Sequence, residues 1–233
     1  MTRFIHMLFS DMVALFFPRN CAICGKPLHR QEEILCTSCY YKLPFTGFHD
    51  KKENPVTEIF AGRLPLVYAS ALLFFNKGGM AQRLIHQLKY DGKREIGTFL
   101  GKLTGIALQS SPLFSDVDGI IPVPLHPEKE HQRGYNQSLL IAEAIAKQMK
   151  VPVFSDVLFR RKYTATQTKK SRYDRWQNVK DIFAVKNKNR IRDLHLLLVD
   201  DVITTGATLE ACGSRLIEIP GVRLSIVSAA YAQ

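Results

Sequence analysis

The apolar residues of the chain fall into short runs separated by stretches with helical spacing. Leu66–Phe75 (LVYASALLFF) reads as a buried strand, and Asp118–Val123 (DGIIPV) as a short strand ending in a proline-rich turn. Phe183–Val185, Leu194–Val199 and Leu224–Ala229 read as further strands. Between them, Gln82–Leu88, Ile96–Leu108, Asn136–Met149 and Thr205–Ile219 bring apolar residues back at helical intervals. Asn136 stands where a helix N-cap belongs. Strands alternating with helices predict an α/β fold: a mostly parallel sheet with helices on both faces. This domain is expected over residues 56–233, with no internal repeat or low-complexity tract.

Four stretches break the pattern. Phe4–Phe17 is apolar but interrupted by His6 and Asp11, and falls short of the roughly 20 residues a spanning helix needs. Residues 1–17 are therefore expected as an amphipathic helix packed on the body, with a membrane-surface helix as the alternative. No small-residue cleavage site follows, which points to the cytoplasm and to no stable membrane insertion. Residues 18–47 are too few to bury much apolar surface and need a staple. Phe48–Pro55 (FHDKKENP) reads as a polar linker. Thr164–Asp181 is long, polar and basic, a length uncommon in compact domains unless functional or disordered.

The staple is legible in the cysteines. Cys21-Ala22-Ile23-Cys24 and Cys36-Thr37-Ser38-Cys39 are two CxxC pairs. Two intervening residues let both thiolates of a pair reach one tetrahedral ion, and Gly25 eases the turn that follows. Two pairs in tandem predict a zinc ion. Four thiolates leave no open coordination position, so the role is structural. Paired disulfides fit poorly in a chain with no export signal, and a redox dithiol has no use for the second pair. Cys212, within a helix, is expected as a small buried apolar residue.

The run Leu196–Leu209 (LLLVDDVITTGATL) carries the most chemistry. An apolar strand ends at two carboxylates, Asp200 and Asp201, and a loop of hydroxyl and glycine residues opens a helix. Ligands of open α/β sheets bind beyond the carboxyl ends of the strands. A helix N-terminus offers unpaired N–H groups and positive dipole to an anion. Gly206 and Ala207 let the backbone approach a phosphate, and Thr204, Thr205 and Thr208 add hydroxyl donors. Carboxylates beside a phosphate site repel it unless the phosphate hangs from a sugar. They then accept hydrogen bonds from the ribose hydroxyls and favour positive charge developing at C1′. An acidic helix cap at the end of a core strand is the plainer alternative.

This run resembles the 5-phosphoribosyl 1-diphosphate (PRPP) motif of type I phosphoribosyltransferases. Those enzymes bind PRPP with Mg²⁺ and pass its ribosyl phosphate to a nitrogen nucleophile. The ion rides mainly on ligand oxygens, so no dedicated protein cage is expected. Further motifs narrow the resemblance: Ile121-Pro122-Val123-Pro124-Leu125-His126, then Arg133-Gly134-Tyr135-Asn136-Gln137, then Gln167-Thr168, Arg175, Asn178 and Phe183. With the cysteine module in front, the chain resembles the ComF/GntX family, some of whose members are competence proteins needed for DNA uptake. The resemblance implies a type I phosphoribosyltransferase-like fold behind a small four-cysteine zinc module. It implies a diphosphate loop at Pro124, Leu125 and His126, and Arg133 reaching a phosphate from the loop that follows. It also makes Thr164–Asn178 a mobile flap whose closure excludes water and brings up Lys169, Lys170, Arg172 and Arg175. Lys89-Tyr90 matches a family element whose role the sequence does not reveal.

Charge leaves the function open between two classes. Lys plus Arg is 32 against 21 for Asp plus Glu, a net charge of +11. Such a balance suits polyanions, or merely colloidal solubility. One reading is a binding protein for PRPP or a nucleoside monophosphate that also binds single-stranded DNA through the flap or Lys186–Arg192 (KNKNRIR), with a DNA-uptake helicase or other competence proteins as partners by resemblance. The other is an active phosphoribosyltransferase with an unidentified nitrogen acceptor in nucleotide metabolism. Purine-salvage transferases usually place an aspartate just before the Thr-Gly pair. Thr204 stands there instead and cannot act as a carboxylate base, which implies poor purine salvage.

Overall fold

The computed structural model describes residues 19–160 and 182–232. The helix expected over 1–17 and the flap over 164–178 lie outside them. The four-cysteine segment ends in α1 (Thr37–Tyr41), followed by α2 (Pro55–Phe60), β1 (Ala69–Phe75), α3 (Met80–Tyr90) and α4 (Arg94–Ser110). Then come β2 (Gly119–Pro122), α5 (Pro127–Arg133), α6 (Gln137–Met149), β3 (Leu158–Arg160) and β4 (Phe183–Val185). The chain closes with β5 (His195–Ile203), α7 (Ala207–Ile217) and β6 (Arg223–Ala232).

The main sheet is parallel, in the order β1-β6-β5-β2, and β3 pairs with β4 antiparallel beside it. Strand alternation sends successive side chains into two cores. Leu197 and Val199 of β5 join Ile120, Leu84, Leu100 and Ile145 under α3, α4 and α6. Leu196 and Leu198 join Ile121, Phe60, Leu209 and Leu216 under α2 and α7. Helices therefore cover both faces, as the pattern predicts.

Three differences from the sequence reading bear on the site. First, β5 does not stop at Val199 but runs through both aspartates to Ile203, because β6 is long enough to pair with it as far as Tyr231. Second, the proline-rich turn after β2 opens a helix, α5, with Pro127 in its first turn, the His126 side chain accepting from the Glu128 N–H, and Gly134 at its C-cap. Arg133 thus projects from a helix end and not from a loop. Third, Phe48–Pro55 is packed rather than a free linker. Phe48 is buried, and Asn54 caps α2 while its Nδ2 donates to the Ala69 carbonyl at 2.9 Å. Just before it, Pro44–Thr46 runs antiparallel along β1, with Thr46 N–H donating to Leu72 and Phe74 N–H to Pro44.

α4 and α6 approach closely over small residues. A Cβ on Gly101 would lie 2.4 Å from the Ile141 carbonyl oxygen and 2.7 Å from the Ala144 Cβ, both on α6. Neither neighbour is a flexible side-chain tip, so the helices would have to part. Gly101→Ala is therefore expected to lose about 1–3 kcal/mol by overpacking, despite the better helix propensity of alanine. Urea unfolding of the two proteins checks this; equal or greater stability of the variant would contradict the close packing.

Candidate functional site

β5 delivers Asp200 and Asp201 to the edge of a cavity of about 550 Å³, in the size range of small-molecule sites. Asp200 Oδ1 accepts from Ser138 Oγ at 2.9 Å and from the Asp201 N–H at 2.8 Å. Burial, and then the neighbouring Asp201 charge, push the Asp200 carboxyl up to about 7. Asp201 is itself buried and pairs with Lys89 of α3, Nζ to Oδ1 2.7 Å. The two carboxylates are compensated by different helices, one through a hydroxyl and one through an ammonium.

The loop after β5 is built for close approach. Gly206 has φ +75°, in the left-handed region, and a Cβ there would sit 2.8 Å from the Ile59 methyl and 2.9 Å from the Phe60 ring. Thr204 and Thr208 line the main cavity. Thr205, Gly206 and Ala207 surround an adjoining hollow of about 50 Å³ shared with Asp200. The backbone N–H groups at the start of α7 open here, so the hollow suits an anion. Arg63 braces the loop from outside: its Nη1 donates to the carbonyls of Ile59 and Thr205, both at 3.0 Å, and its guanidinium pairs with Glu210 of α7.

Asn136 ties the opposite wall together. Its Oδ1 accepts from the Ser138 N–H and its Nδ2 donates to the Val123 carbonyl, each at 3.0 Å, so the exit of β2 is tied to the entry of α6. Pro124 and Leu125 line the cavity here, as does Arg133, whose guanidinium lies 5.6 Å from the centre of the Tyr90 ring. His126 instead caps α5 and does not line the cavity. The structure therefore brings together Asp200, Asp201, the threonine loop, Pro124, Leu125 and Arg133, and turns His126 away. The sequence reading missed Arg63, Ser138 and the partner of Lys89. No local signal marks them, because their roles arise from contacts 62 to 147 residues apart.

The four cysteines converge as well. The Sγ atoms of Cys21, Cys24, Cys36 and Cys39 lie within 4.8 Å of one another, and none is in a disulfide. A zinc ion at about 2.3 Å from each sulfur needs S···S edges of about 3.8 Å, so this cluster fits a tetrahedral metal. Burial pushes the Cys21 thiol up, but backbone N–H groups of Cys24, Cys36 and Ile23 outweigh it and hold it at about 6. The Cys39 thiol is instead pushed up to about 12, by burial and then by its hydrogen bonds with the other three cysteines, so the cluster favours the thiolate at Cys21 and disfavours it at Cys39. The cluster belongs to the same apolar core as α3 and α4, and Lys102 of α4 pairs with Glu33 at 2.9 Å.

The raised Asp200 pKa has a definite pH signature. Between about pH 4 and 7 the folded chain keeps a proton that the unfolded chain has released, so stability falls as pH rises through that window. Asp200→Asn keeps an oxygen that can accept from Ser138 and removes the titration. The variant is expected to be more stable than wild type by about 1–3 kcal/mol near pH 8, with the gap closing toward pH 4. Urea unfolding across this range checks it; a gap independent of pH would contradict the burial of Asp200.

Comparison with known proteins agrees with this architecture. The family model for the phosphoribosyl transferase domain matches residues 136–232, from the entry of α6 to the end of β6. "Competence protein F" of Haemophilus influenzae is 34% identical over 204 residues, covering 83% of this chain and 89% of the relative. "DNA utilization protein YhgH" of Escherichia coli K12 is 28% identical, covering 81% and 80%, and "Competence protein ComFC" of Bacillus subtilis is 25% identical, covering 85% and 71%. Identity at this level across nearly the whole of the first relative, together with the matched domain, makes the chain a member of the ComF family, competence and DNA-utilization proteins that carry a phosphoribosyl transferase domain.

Proposed function

We propose that this chain binds a 5-phosphorylated ribose, as PRPP or a nucleoside monophosphate, in the cavity at the end of β5. The observation that carries the reading is the adjacency of two compensated carboxylates and a threonine-glycine loop at a helix N-terminus. The loop takes the 5′-phosphate through backbone N–H groups and the hydroxyls of Thr204, Thr205 and Thr208. Asp201, and Asp200 once ionised, accept from the ribose hydroxyls. Lys89 keeps the acidic pair from repelling the anionic ligand. Mg²⁺ accompanying PRPP would be held mainly by the ligand's own oxygens and would neutralise part of the diphosphate charge. One zinc ion at Cys21, Cys24, Cys36 and Cys39 stabilises the N-terminal module. The names of the relatives support a role in the uptake or use of DNA, exercised by a protein that binds single strands through its basic surface.

Transfer of the ribosyl phosphate to a nitrogen acceptor is a second reading. It is favoured by Asp200, whose pKa near 7 suits proton exchange at neutral pH. Diphosphate release on mixing PRPP, Mg²⁺ and nucleobases separates it from binding alone.

The binding reading is tested by calorimetry on protein shown by elemental analysis to carry one zinc per chain. Asp201→Ala is expected to weaken PRPP and ribose 5-phosphate binding by about 1.5–3 kcal/mol through lost hydrogen bonds to a charged acceptor. Equal affinity in variant and wild type, or no binding by either, would count against the site. For DNA, part of the basic stretch is already engaged: Arg190 pairs with Asp156 at 2.7 Å, and Lys186 lies 4.4 Å over the Phe159 ring. Binding to single-stranded oligonucleotides is therefore expected to be weak, indifferent to sequence and steeply lowered by salt. Absence of retention at low salt would remove this part of the proposal.

A further inference from the structure

One face of α3 looks into the cavity through Gln82, Ile85, His86 and Lys89. The neighbouring flank meets the cysteine module. Gln87 Nε2 donates to the Ala22 carbonyl at 2.6 Å, and Arg83 Nη1 donates to the Ile23 carbonyl at 3.5 Å. Ala22 and Ile23 are the two residues inside the first CxxC pair. Their carbonyls are oriented by the turn that brings Cys21 and Cys24 to a common centre, so the acceptors of α3 are part of the metal knuckle itself. The other end of Gln87 is also engaged, its Oε1 accepting from Lys93 Nζ at 2.7 Å. At the far end of the helix, the Tyr135 hydroxyl donates to the Leu88 carbonyl. Lys89, next in sequence, holds Asp201 at 2.7 Å. The helix is thus clamped by the knuckle on one side and touches the ribose-site carboxylate on the other.

We infer that the cysteine knuckle is a strut for the ligand site: through Gln87 it fixes α3 so that Lys89 stays on Asp201, and binding of metal and of sugar phosphate are thereby coupled. The inference rests on the sugar-phosphate reading above. The physical link is short. Losing the metal removes the tie between the two CxxC turns and leaves residues 21–24 on backbone bonds alone, among them Ala22 N–H to the Ile34 carbonyl and Gly25 N–H to the Cys21 carbonyl, so Gln87 loses a firmly oriented acceptor. With α3 released on that flank, the Lys89 ammonium is no longer held against a carboxylate that is buried and beside a second carboxylate. Coupling of this kind is reciprocal, so ligand must tighten metal by the factor by which metal tightens ligand. Gln87 is a positioning residue in this scheme and touches neither ligand nor metal.

The test measures coupling and not activity. Full-length zinc-loaded protein is titrated with a chromogenic chelator in the presence and absence of saturating ribose 5-phosphate. Ligand is expected to raise metal affinity about three- to tenfold, the span that one or two hydrogen bonds can transmit. Gln87→Ala should still bind one zinc and still fold by circular dichroism, but the ligand effect should fall to near unity. Gln87→Glu keeps the length and loses the donor, and should behave as Gln87→Ala does. Lys89→Met should abolish the coupling from the other end. Zinc retention indifferent to bound ligand in the wild type, or full coupling in both Gln87 variants, would overturn the inference. Failure of the wild type to bind ribose 5-phosphate at all would instead strike the sugar-phosphate reading, and calorimetry on the same samples tells the two apart.

Discussion

Asp200 and Asp201 are successive residues at the end of a buried strand, and their mutual repulsion constrains the architecture around them. Two carboxylates so close in partly dry surroundings cannot both ionise without compensation. The fold answers in three ways. Asp200 is pushed toward its neutral form, Ser138 and a backbone N–H donate to it, and Lys89 supplies a full positive charge to Asp201. Each compensating group comes from a different element, so α3, α6 and β5 must be held in register for the pair to be tolerated.

The means of holding them are visible in the packing. Asn136 pins the α6 entry to the end of β2, glycines let α4 close on α6, and Arg63 straps the loop after β5 to α2 and α7. The cysteine cluster is integrated in the same way. Cys21, Cys36 and Cys39 share an apolar core with Leu84 and Leu88 of α3, and Pro44–Thr46 lies along β1. A small module that cannot bury a core of its own thus borrows one, and its cysteines bound one wall of that shared core.

Electrostatics divides the molecule differently from a simple count of charges. The net charge of +11 suggests a polyanion partner, yet several cations are committed within the fold. Lys89 is on Asp201, Arg63 on Glu210, Arg190 on Asp156 and Arg223 on Asp116. Around the cavity, the Arg133 guanidinium lies over the Tyr90 ring, and Lys129 also lines the cavity. The cavity wall therefore carries both signs of charge, Lys129 and Arg133 as well as Asp200 and Asp201.

Local sequence determined what local physics can fix. The CxxC spacing sets the four-cysteine cluster, the Asn136 cap sets the start of α6, the apolar runs set the strands, and the hydroxyl-glycine loop marks the entry of α7. Period and spacing carry these features because they depend on neighbours a few residues apart. Tertiary structure alone decided the extent of β5, since only the length of β6 allows two aspartates to remain in a strand. It also decided that His126 caps a helix and that Phe48–Pro55 packs. Above all it gave Lys89 its meaning. Nothing within a few residues of Lys89 marks its partner, because the carboxylate that it neutralises lies 112 residues away, and contacts at that separation are chosen by the packing of layers and not by the chain that links them.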